Sequence, residues 1–291
     1  MSFKGERRKM RSGLRVVVVL VALMVLIPSP RNMALAGGGD TAVAIAAPIF
    51  GVLGVAALGY GMWINRPGAP ERPRIPGEFY VGGFAGGSFV GPTARNWNIN
   101  IPDGAFNLTD MKYNVGVVGG LKFGYFCDKF PYAGLEAETN FTRNDIRMQN
   151  VNVSPAISGS SIASVPAQRL YIWTMALKLM GRYGFFKDQE VPFGRLQPYV
   201  GIGPGFVVIY GQNDSAKNFS LELQAGLRYM ALKKVSIFAE YKFSQQWNVE
   251  LEGQELREPL GPLGDPALIG RGKAKFDFDS HKFAVGVAYH W

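Results

Sequence analysis

The strongest constraint in this sequence is a two-residue alternation of apolar and polar side chains that recurs between residues 78 and 291. Residues 235–244 illustrate it, since Val235 and Ile237 flank Ser236. Alternation of this period places the two kinds of side chain on opposite faces of a β-strand. A helical interpretation fits poorly, because the polar residues do not recur at every third or fourth position. The pattern therefore predicts an all-β fold.

Eight segments carry this alternation or a glycine-rich form of it. Six are clear, at residues 115–126, 133–142, 170–183, 219–229, 235–244 and 283–291. Two are richer in glycine and nearly apolar on both faces, at residues 79–90 and 199–210. Most have about 10 to 14 residues, enough to cross the hydrocarbon layer at the tilt of a barrel. Since lipid offers the backbone no hydrogen bonds, we predict an eight-stranded antiparallel up-and-down transmembrane β-barrel.

The connections between these segments differ in length. Two are short, at residues 127–132 and 230–234, and a middling one covers residues 185–198. The others cover residues 91–114, 144–169, 211–218 and 248–280, and three of these four are long. Membrane barrels have short periplasmic turns and longer outside loops, so both barrel ends are predicted to lie in the periplasm. The last loop leaves room for an extra hairpin, and a ten-stranded barrel stays open for that reason.

The first 36 residues have the three parts of a secretory signal peptide. Residues 4–15 are basic, residues 16–27 are an unbroken apolar run, and Ala34-Leu35-Ala36 offers small residues for cleavage before Gly37. This leader holds seven of the 31 Lys and Arg residues but one of the 22 acids, so the net charge of +9 falls to +3 in the rest of the chain. No nucleic-acid partner is expected.

An apolar segment at residues 37–65 and a linker at residues 66–77 precede the first predicted strand. Residues 41–64 carry no charge and are long enough to span a bilayer, but they are rich in Ala and Gly. They could form a helix in or on a membrane, pack against the barrel or its mouth, or retain the protein in the inner membrane if the leader is not cut. We predict an apolar accessory helix here. The four prolines of the linker predict a semi-rigid domain boundary.

The polar face of the predicted strands carries nine charged residues of both signs. They are Lys122, Glu136, Glu138, Lys178, Arg182, Glu222, Arg228, Glu240 and Lys242. Eight strands enclose an interior about wide enough for side chains. We therefore predict that these residues form a salt-bridge network that fills the lumen and fixes the strand register. A gated pore is the alternative interpretation.

Residues for catalysis or for cofactor binding are few. Ser280 and His281 are adjacent in a predicted strand, so their side chains point to opposite faces. The second histidine, His290, lies at the predicted periplasmic edge. Cys127 is the only cysteine and can form no internal disulfide, and no zinc spacing, phosphate loop or dinucleotide motif occurs. We therefore predict no enzymatic activity, no cofactor and no metal.

Several short motifs point to a known family. They are Phe79-Tyr80-Val81-Gly82-Gly83, Pro198-Tyr199-Val200-Gly201-Ile202-Gly203-Pro204-Gly205, Phe238-Ala239-Glu240-Tyr241-Lys242-Phe243 and the run from Phe283 to Trp291. Through them, residues 78–291 resemble the small outer-membrane β-barrel family that includes the transmembrane domain of outer membrane protein A. The resemblance implies residence in the bacterial outer membrane, with outer-membrane lipids and lipopolysaccharide as neighbours.

The resemblance also implies an assembly signal in the last strand, at Phe283, Tyr289 and Trp291. A terminal aromatic residue at an alternating position is similar to the signal read by the outer-membrane assembly machinery. The family usually ends in Phe, whereas this chain has Trp291. Other aromatic residues fall near predicted strand ends and fit interfacial girdles. The girdle candidates are Trp97, Trp173, Tyr183, Trp247, Tyr289 and Trp291.

Three functions are compatible with this sequence. The first is a structural or surface-interaction membrane protein with a filled lumen, and the second is a narrow pore for small solutes or ions. The third is a soluble ligand-binding barrel with its apolar face inward. The leader, the low charged fraction of 18% and the aromatic C-terminus favour lipid on the outside. The first function is therefore the predicted one.

Overall fold

The structure is a computed structural model. It describes residues 77–91, 96–101, 104–157, 160–165, 167–210, 215–252 and 273–291. The predicted signal peptide (1–36), the accessory helix (37–65) and all but the last residue of the linker lie outside these residues. Within them, no helix has the length and hydropathy needed to cross a membrane.

The described chain is all β and contains twelve strands. They are β1 (Glu78–Val90), β2 (Trp97–Ile101), β3 (Gly104–Thr109), β4 (Gly116–Cys127), β5 (Phe130–Arg143), β6 (Gln149–Ile157), β7 (Ser160–Val165), β8 (Tyr171–Arg182), β9 (Leu196–Tyr210), β10 (Ser215–Leu232), β11 (Val235–Glu252) and β12 (Lys273–His290). Eight of them form an antiparallel ring in the order β1-β4-β5-β8-β9-β10-β11-β12. The ring closes where β1 pairs with β12, from Tyr80↔His290 to Val90↔Ser280. The prediction of an all-β, eight-stranded barrel is confirmed.

The other four strands correct the prediction for the long loops. The connections at 91–114 and 144–169 contain two hairpins, β2–β3 and β6–β7, where no strands were predicted. β2 pairs with the first residues of β12, at Lys273↔Asn100, and β3 pairs with β6. These hairpins continue the sheet beyond the barrel wall, so the wall itself keeps eight strands and the ten-stranded alternative is wrong. The part of the last loop at 253–272, where an extra hairpin was suspected, lies outside the described residues.

The two faces of the barrel strands have opposite polarity. Apolar side chains point outward, and Val117, Leu179 and Val285 are about two-thirds exposed. Charged side chains point inward, and Lys122 and Glu136 are at most 1% exposed. A barrel with its apolar face inward, as the soluble alternative requires, is therefore wrong for this part of the chain.

The polarity of the faces is reversed at the hairpin end of the barrel, as β12 shows. Near its start, Phe276 and Phe278 are buried inside while Asp277 is exposed. Further along, Lys282 is buried inside while Phe283 is exposed. The strand therefore passes from a zone with apolar residues inside to a zone with polar residues inside.

A β-bulge in β11 lies at this boundary. The pairing of β11 with β12 shifts between Gln246 and Val249, and Asn248 has a positive φ of 52°. The Asn248 N–H donates to Asp277 Oδ1 at 2.9 Å. Because a bulge adds one residue to one strand, Val249 follows Gln246 on the inner face although their spacing is odd. On the inner face of β11 the bulge therefore places the apolar side chain of Val249 directly after the polar side chain of Gln246.

The hairpins cover an apolar interior, which we call the upper core. Its members are Trp97, Ile99, Phe106, Leu108, Met111, Ile146, Val151, Val153, Val165, Leu170, Ile172, Val207, Ile209, Ala216, Val249, Phe276 and Phe278. Trp97 is only 6% exposed and stacks on Phe276 with ring centroids 4.5 Å apart. This residue therefore belongs to the upper core, and its predicted place in an interfacial girdle is wrong. The missed hairpin β2–β3 explains the difference, because it carries Trp97 inward.

The opposite end of the barrel carries both termini of the ring and the short connections. Two-residue turns join β4 to β5 and β10 to β11, and residues 183–195 join β8 to β9. In that longer connection the carboxylate of Asp188 accepts a hydrogen bond from the Val191 N–H at 2.7 Å and contacts Arg195. Both contacts hold the pKa of Asp188 below its usual value, and the backbone hydrogen bond has the larger effect. The rule that short turns are periplasmic predicts this as the periplasmic end, the name that we use for it below.

Replacing Trp97 by Ala is expected to loosen the hairpins while the barrel remains closed. Removal of a buried Trp typically costs about 3–5 kcal/mol, and here the loss falls on the upper core. Hydrogen exchange should accelerate in β2, β3 and β6, and the heat-dependent gel shift of the folded barrel should persist. Trp247→Ala is the matched control, because Trp247 is half exposed. Equal exchange rates in the two variants would contradict this account of the upper core.

A closed lumen as the candidate functional site

All nine charged residues predicted for the lumen are buried inside the barrel. Six of them form one closed circuit of alternating charges, which we call the lumen ring. Its members, in order, are Lys122, Glu136, Lys178, Glu138, Lys242 and Glu240. Three cations and three anions make the ring neutral. Strands β4, β5, β8 and β11 supply them, so the circuit crosses the lumen from wall to wall.

Glu138 is the tightest junction of the ring. Its two oxygens lie 2.5 Å from Lys178 Nζ and 2.5 Å from Lys242 Nζ. Lys242 Nζ also lies 3.0 Å from Glu240 Oε1. One carboxylate thus links β5 to β8 and to β11, across the full width of the interior.

Glu136 and Lys122 complete the circuit. Glu136 lies 3.3 Å from Lys178 Nζ and 3.5 Å from Lys122 Nζ. Lys122 then donates to Glu240, which closes the ring. Each ring member therefore has two oppositely charged neighbours, which is the condition under which buried charges are tolerated.

Neutral polar side chains occupy the remaining positions around the carboxylates. The hydroxyl of Tyr80 donates to Glu136 at 2.5 Å, and that of Tyr199 donates to Glu240 at 2.7 Å. Gln224 Nε2 donates to Glu136 Oε1 at 2.8 Å. These donors add hydrogen bonds to carboxylate oxygens that also contact the ring lysines, which strengthens the buried polar network.

Aromatic faces cover the ring lysines. Lys242 Nζ lies 3.4 Å from the ring centroid of Phe84, and Lys122 Nζ lies 4.3 Å from that of Phe238. A cation over an aromatic face is attracted by the negative face of the π-system. The same rings fill space that water would otherwise occupy.

Arg228 lies below the ring, toward the periplasmic end. Its guanidinium stacks at 4.3 Å on Tyr80 and at 5.3 Å on Tyr199, the two tyrosines that hold ring carboxylates. The side chain is 1% exposed. Arg228 thus braces the tyrosines from the side opposite to the ring.

Glu222 and Lys282 lie above the ring, toward the upper core. Glu222 Oε1 accepts hydrogen bonds from the hydroxyls of Ser220 at 2.6 Å and Ser244 at 2.5 Å. Lys282 Nζ donates to Asn140 Oδ1 at 3.3 Å. Sequence reasoning left Lys282 out of the lumen set, although the alternation with Phe283 already indicated its inward position.

Arg182 belongs to a separate cluster at the periplasmic end, which we call the terminal clasp. Arg182 Nη2 donates to Glu78 Oε2 at 2.6 Å, and Glu78 Oε1 lies 2.6 Å from His290 Nδ1. His290 Nε2 lies 2.8 Å from the Ser236 hydroxyl oxygen. The clasp joins β1 and β12, the first and last strands of the barrel wall, to β8 and β11. Glu78, Ser236 and His290 were missed as site residues.

The clasp aligns a serine, a histidine and a carboxylate in the order that serine hydrolases use. The sequence suggested no such set, because the three residues are far apart in the chain. Ser236 is completely buried and His290 is 3% exposed. A nucleophile needs contact with its substrate, and the Ser236 hydroxyl lies against His290 with no exposed surface of its own.

The lumen is filled along its whole described length. The terminal clasp, Arg228, the lumen ring, a belt of buried polar residues and the upper core follow one another from the periplasmic end to the hairpin end. The inward positions of β5 above the ring and just beyond its end show the belt, since Asn140, Thr142 and Asn144 are each at most 2% exposed. Among the residues that the structure describes, no cluster of three metal-ligating side chains occurs.

Apolar side chains outside and a closed charge network inside define a small β-barrel that crosses a membrane. The profile described as "Outer membrane protein beta-barrel domain" matches residues 76–290. The chain belongs to this family, and it is a protein of the bacterial outer membrane.

Solved structures with a similar fold include other small outer-membrane barrels. OprG from Pseudomonas aeruginosa is 16% identical, with a TM-score of 0.47, over 74% of this chain and 96% of that one. AlkL, solved in DMPC bilayers, is 18% identical, with a TM-score of 0.42, over 78% and 96%. Neisserial surface protein A is 12% identical, with a TM-score of 0.39, over 72% and 96%. The comparison with curated proteins found no match.

Replacing Lys178 by Ala is expected to destabilise the barrel by about 3–5 kcal/mol, because it leaves two buried carboxylates short of a cation. The free energy of unfolding in urea, measured in detergent micelles, tests this. Lys129→Ala is the matched control, since Lys129 lies exposed in the turn between β4 and β5. A double variant, Lys178→Met with Glu138→Met, should recover part of the loss. Unfolding midpoints that do not differ among the variants would argue against a stabilising ring.

Proposed function

We propose that this protein is a closed, non-conducting outer-membrane barrel with a structural or surface-interaction role. The observation that carries the proposal is the lumen ring, a neutral circuit of six buried charges across the interior. An ion that entered would have to separate desolvated ion pairs, and each charge left without a partner costs several kcal/mol. The upper core then fills the interior above the ring with apolar side chains.

The surface role rests on the hairpin end of the barrel. β10, β11 and β12 have 18 residues each, compared with 12 in β4 and β8. Together with β2, β3, β6 and β7 they form a platform over the upper core. A platform with its own apolar core holds its outer face in a fixed shape, which suits recognition of a partner.

The chemistry of the platform favours an anionic neighbour, and we propose the phosphates of lipopolysaccharide. Exposed bases outnumber exposed acids among its described residues. The bases are Lys112, Arg143, Arg147, Arg169, Lys217 and Lys275, and the exposed acids are Asp110, Glu250 and Asp277. Arg143 forms an ion pair with the partly exposed Asp145, and Lys275 with Glu250, so the other four bases carry the excess. Salt weakens interactions of exposed charges, so this contact should depend on ionic strength.

The outward aromatic residues of β12 support the predicted assembly signal. Phe283 is 56% exposed, and Trp291 stacks beside Phe79 and Tyr289 with ring centroids 6.2 Å apart in both pairs. An aromatic edge on the closing strand is the type of feature that the outer-membrane assembly machinery would meet first. The proposal assigns no catalysis to the terminal clasp, because Ser236 has no exposed surface.

The purified protein in planar bilayers is expected to give no stable conductance steps. The physical reason is the cost of opening the lumen ring. The matched comparison is the variant Glu138→Ala with Lys242→Ala and Phe84→Ala, which removes one junction of the ring and its aromatic cover. This variant should conduct more often than the wild type if the ring is the barrier. Regular conductance steps from folded wild-type protein would instead support the narrow pore.

Reversing two platform charges, Lys112→Glu with Lys217→Glu, is expected to weaken binding of lipopolysaccharide by about tenfold or more. Each base near an anionic membrane surface contributes about 1 kcal/mol. Binding to the detergent-solubilised protein should be compared at low and high salt, because the difference should shrink as salt rises. The control, Lys129→Glu with Lys233→Glu, makes the same charge change at the periplasmic turns. Equal weakening by both variants would contradict a role for the platform.

A further inference from the structure

The outer wall of the barrel contains an apolar groove of about 430 Å³. Its lining includes Ala85 on β1, Ala239 on β11 and Ala225 on β10, together with Tyr241 and Phe283. Val285 of β12 also lines it and pairs with both Ala85 and Ala239. The rings of Tyr241 and Phe283 lie 5.1 Å apart, centroid to centroid. The groove faces the membrane, where neighbouring wall positions carry large apolar side chains.

Small residues continue from the groove across β1 and β4. Gly83 and Gly87 flank Ala85 on the outer face of β1, and Gly119 on β4 pairs directly with Ala85. A side chain at these glycines would find room, since an added Cβ would approach no atom closer than 3.6 Å. The inner glycine Gly120 differs, because a Cβ there would come within 2.6 Å of Phe84.

The outer glycines are therefore not required by the packing of the barrel itself. Glycine weakens a strand, and in a strand interior it often marks a place where another backbone approaches closely. In lipid, small residues at an interface let helix backbones come together. We call the outward residues Gly83, Ala85, Gly87 and Gly119 the small-residue wall. This wall fits a helix better than it fits loosely packed lipid chains.

The chain itself contains a segment that matches this wall. Residues 48–64 carry no charge and begin with a proline, which is favoured at the first position of a helix. Seventeen residues of α-helix are about 25 Å long, and the apolar band of an outer-membrane barrel is about 25 Å tall. In a helix, four small residues of this segment share one face. They are Gly51, Gly54, Ala57 and Gly61.

The linker between this segment and the barrel also favours docking in the groove beside β1. The twelve residues 66–77 lead directly into β1, the strand that carries Ala85. An extended proline-rich chain of this length reaches about 37 Å, which is ample for a helix beside β1. We propose that residues 48–64 form a helix that docks in the lipid-facing groove, with Gly51, Gly54, Ala57 and Gly61 against the small-residue wall.

Disulfide cross-linking in the full chain tests the proposal. In a Cys127→Ser background, Ala85→Cys is combined with Gly54→Cys or with Ala57→Cys, and outer membranes are oxidised before the linked peptides are identified by mass spectrometry. The expected result is an intramolecular disulfide with at least one of the two helix positions. Each matched control replaces one member of the pair. Val52→Cys, on the opposite face of the proposed helix, replaces Gly54→Cys, and Leu179→Cys, on the opposite wall of the barrel, replaces Ala85→Cys. Both controls should link several-fold less.

A second measurement separates loss of docking from loss of folding. Ala239→Leu fills part of the groove and should lower the yield of the disulfide several-fold while the heat-dependent gel shift persists. Leu177→Ile on the opposite wall should leave the yield unchanged. Absence of the disulfide in protein that shows the gel shift would overturn the proposal, and so would a mature chain that begins after residue 64. A dimer linked through Ala85→Cys alone would assign the groove to a second copy of the chain.

Discussion

The lumen ring is the interaction on which the rest of the barrel depends, because its six charges lie where water does not solvate them. Each needs an opposite charge, and the partner comes from another strand in five of the six contacts, as with Glu138 between Lys178 and Lys242. A slip of one residue in any strand would turn a charge toward lipid and an apolar side chain into the lumen. We therefore propose that the ring sets the register of the wall from inside. The terminal clasp does the same at the seam, where Glu78 on β1 meets His290 on β12.

The change of polarity along the interior follows from what surrounds the wall at each height. Where lipid surrounds it, apolar side chains gain nothing by turning inward, since the hydrophobic effect requires water outside. The inside is then free to hold polar groups, provided that they are paired. Above the membrane the outer face meets water, and the usual rule returns with Phe276 and Phe278 inside and Asp277 outside. The bulge before Val249 shifts the inward face of β11 by one residue at this height. One set of strands thus builds a membrane protein below and an ordinary apolar core above.

This division explains how much could be predicted from the sequence. The eight wall strands follow from a single rule, and so does the inward position of Lys122 and its eight companions. The ring connectivity does not follow, because it depends on which strands face each other across the lumen. The clasp was missed because Glu78 and His290 come together only when β1 pairs with β12 and the barrel closes. The hairpins were missed because β2 has only five residues. An alternation this short, with Trp97 and Ile99 apolar, does not stand out within a long loop. Short strands that gain stability from a distant core carry little local signal.

The proposed closed interior also limits where the function of this chain can be located. Opening a path would require the wall to stay closed while ion pairs on several strands separate together, and every intermediate would hold a desolvated charge without its partner. On this proposal the interior positions hold the barrel together, from Ser236 in the clasp to Trp97 in the upper core. Two surfaces do not take part in holding the barrel together, namely the outer face of the hairpin platform and the lipid-facing wall. Substitutions there leave the ring, the clasp and the upper core intact, so recognition on either surface can change without loss of the fold.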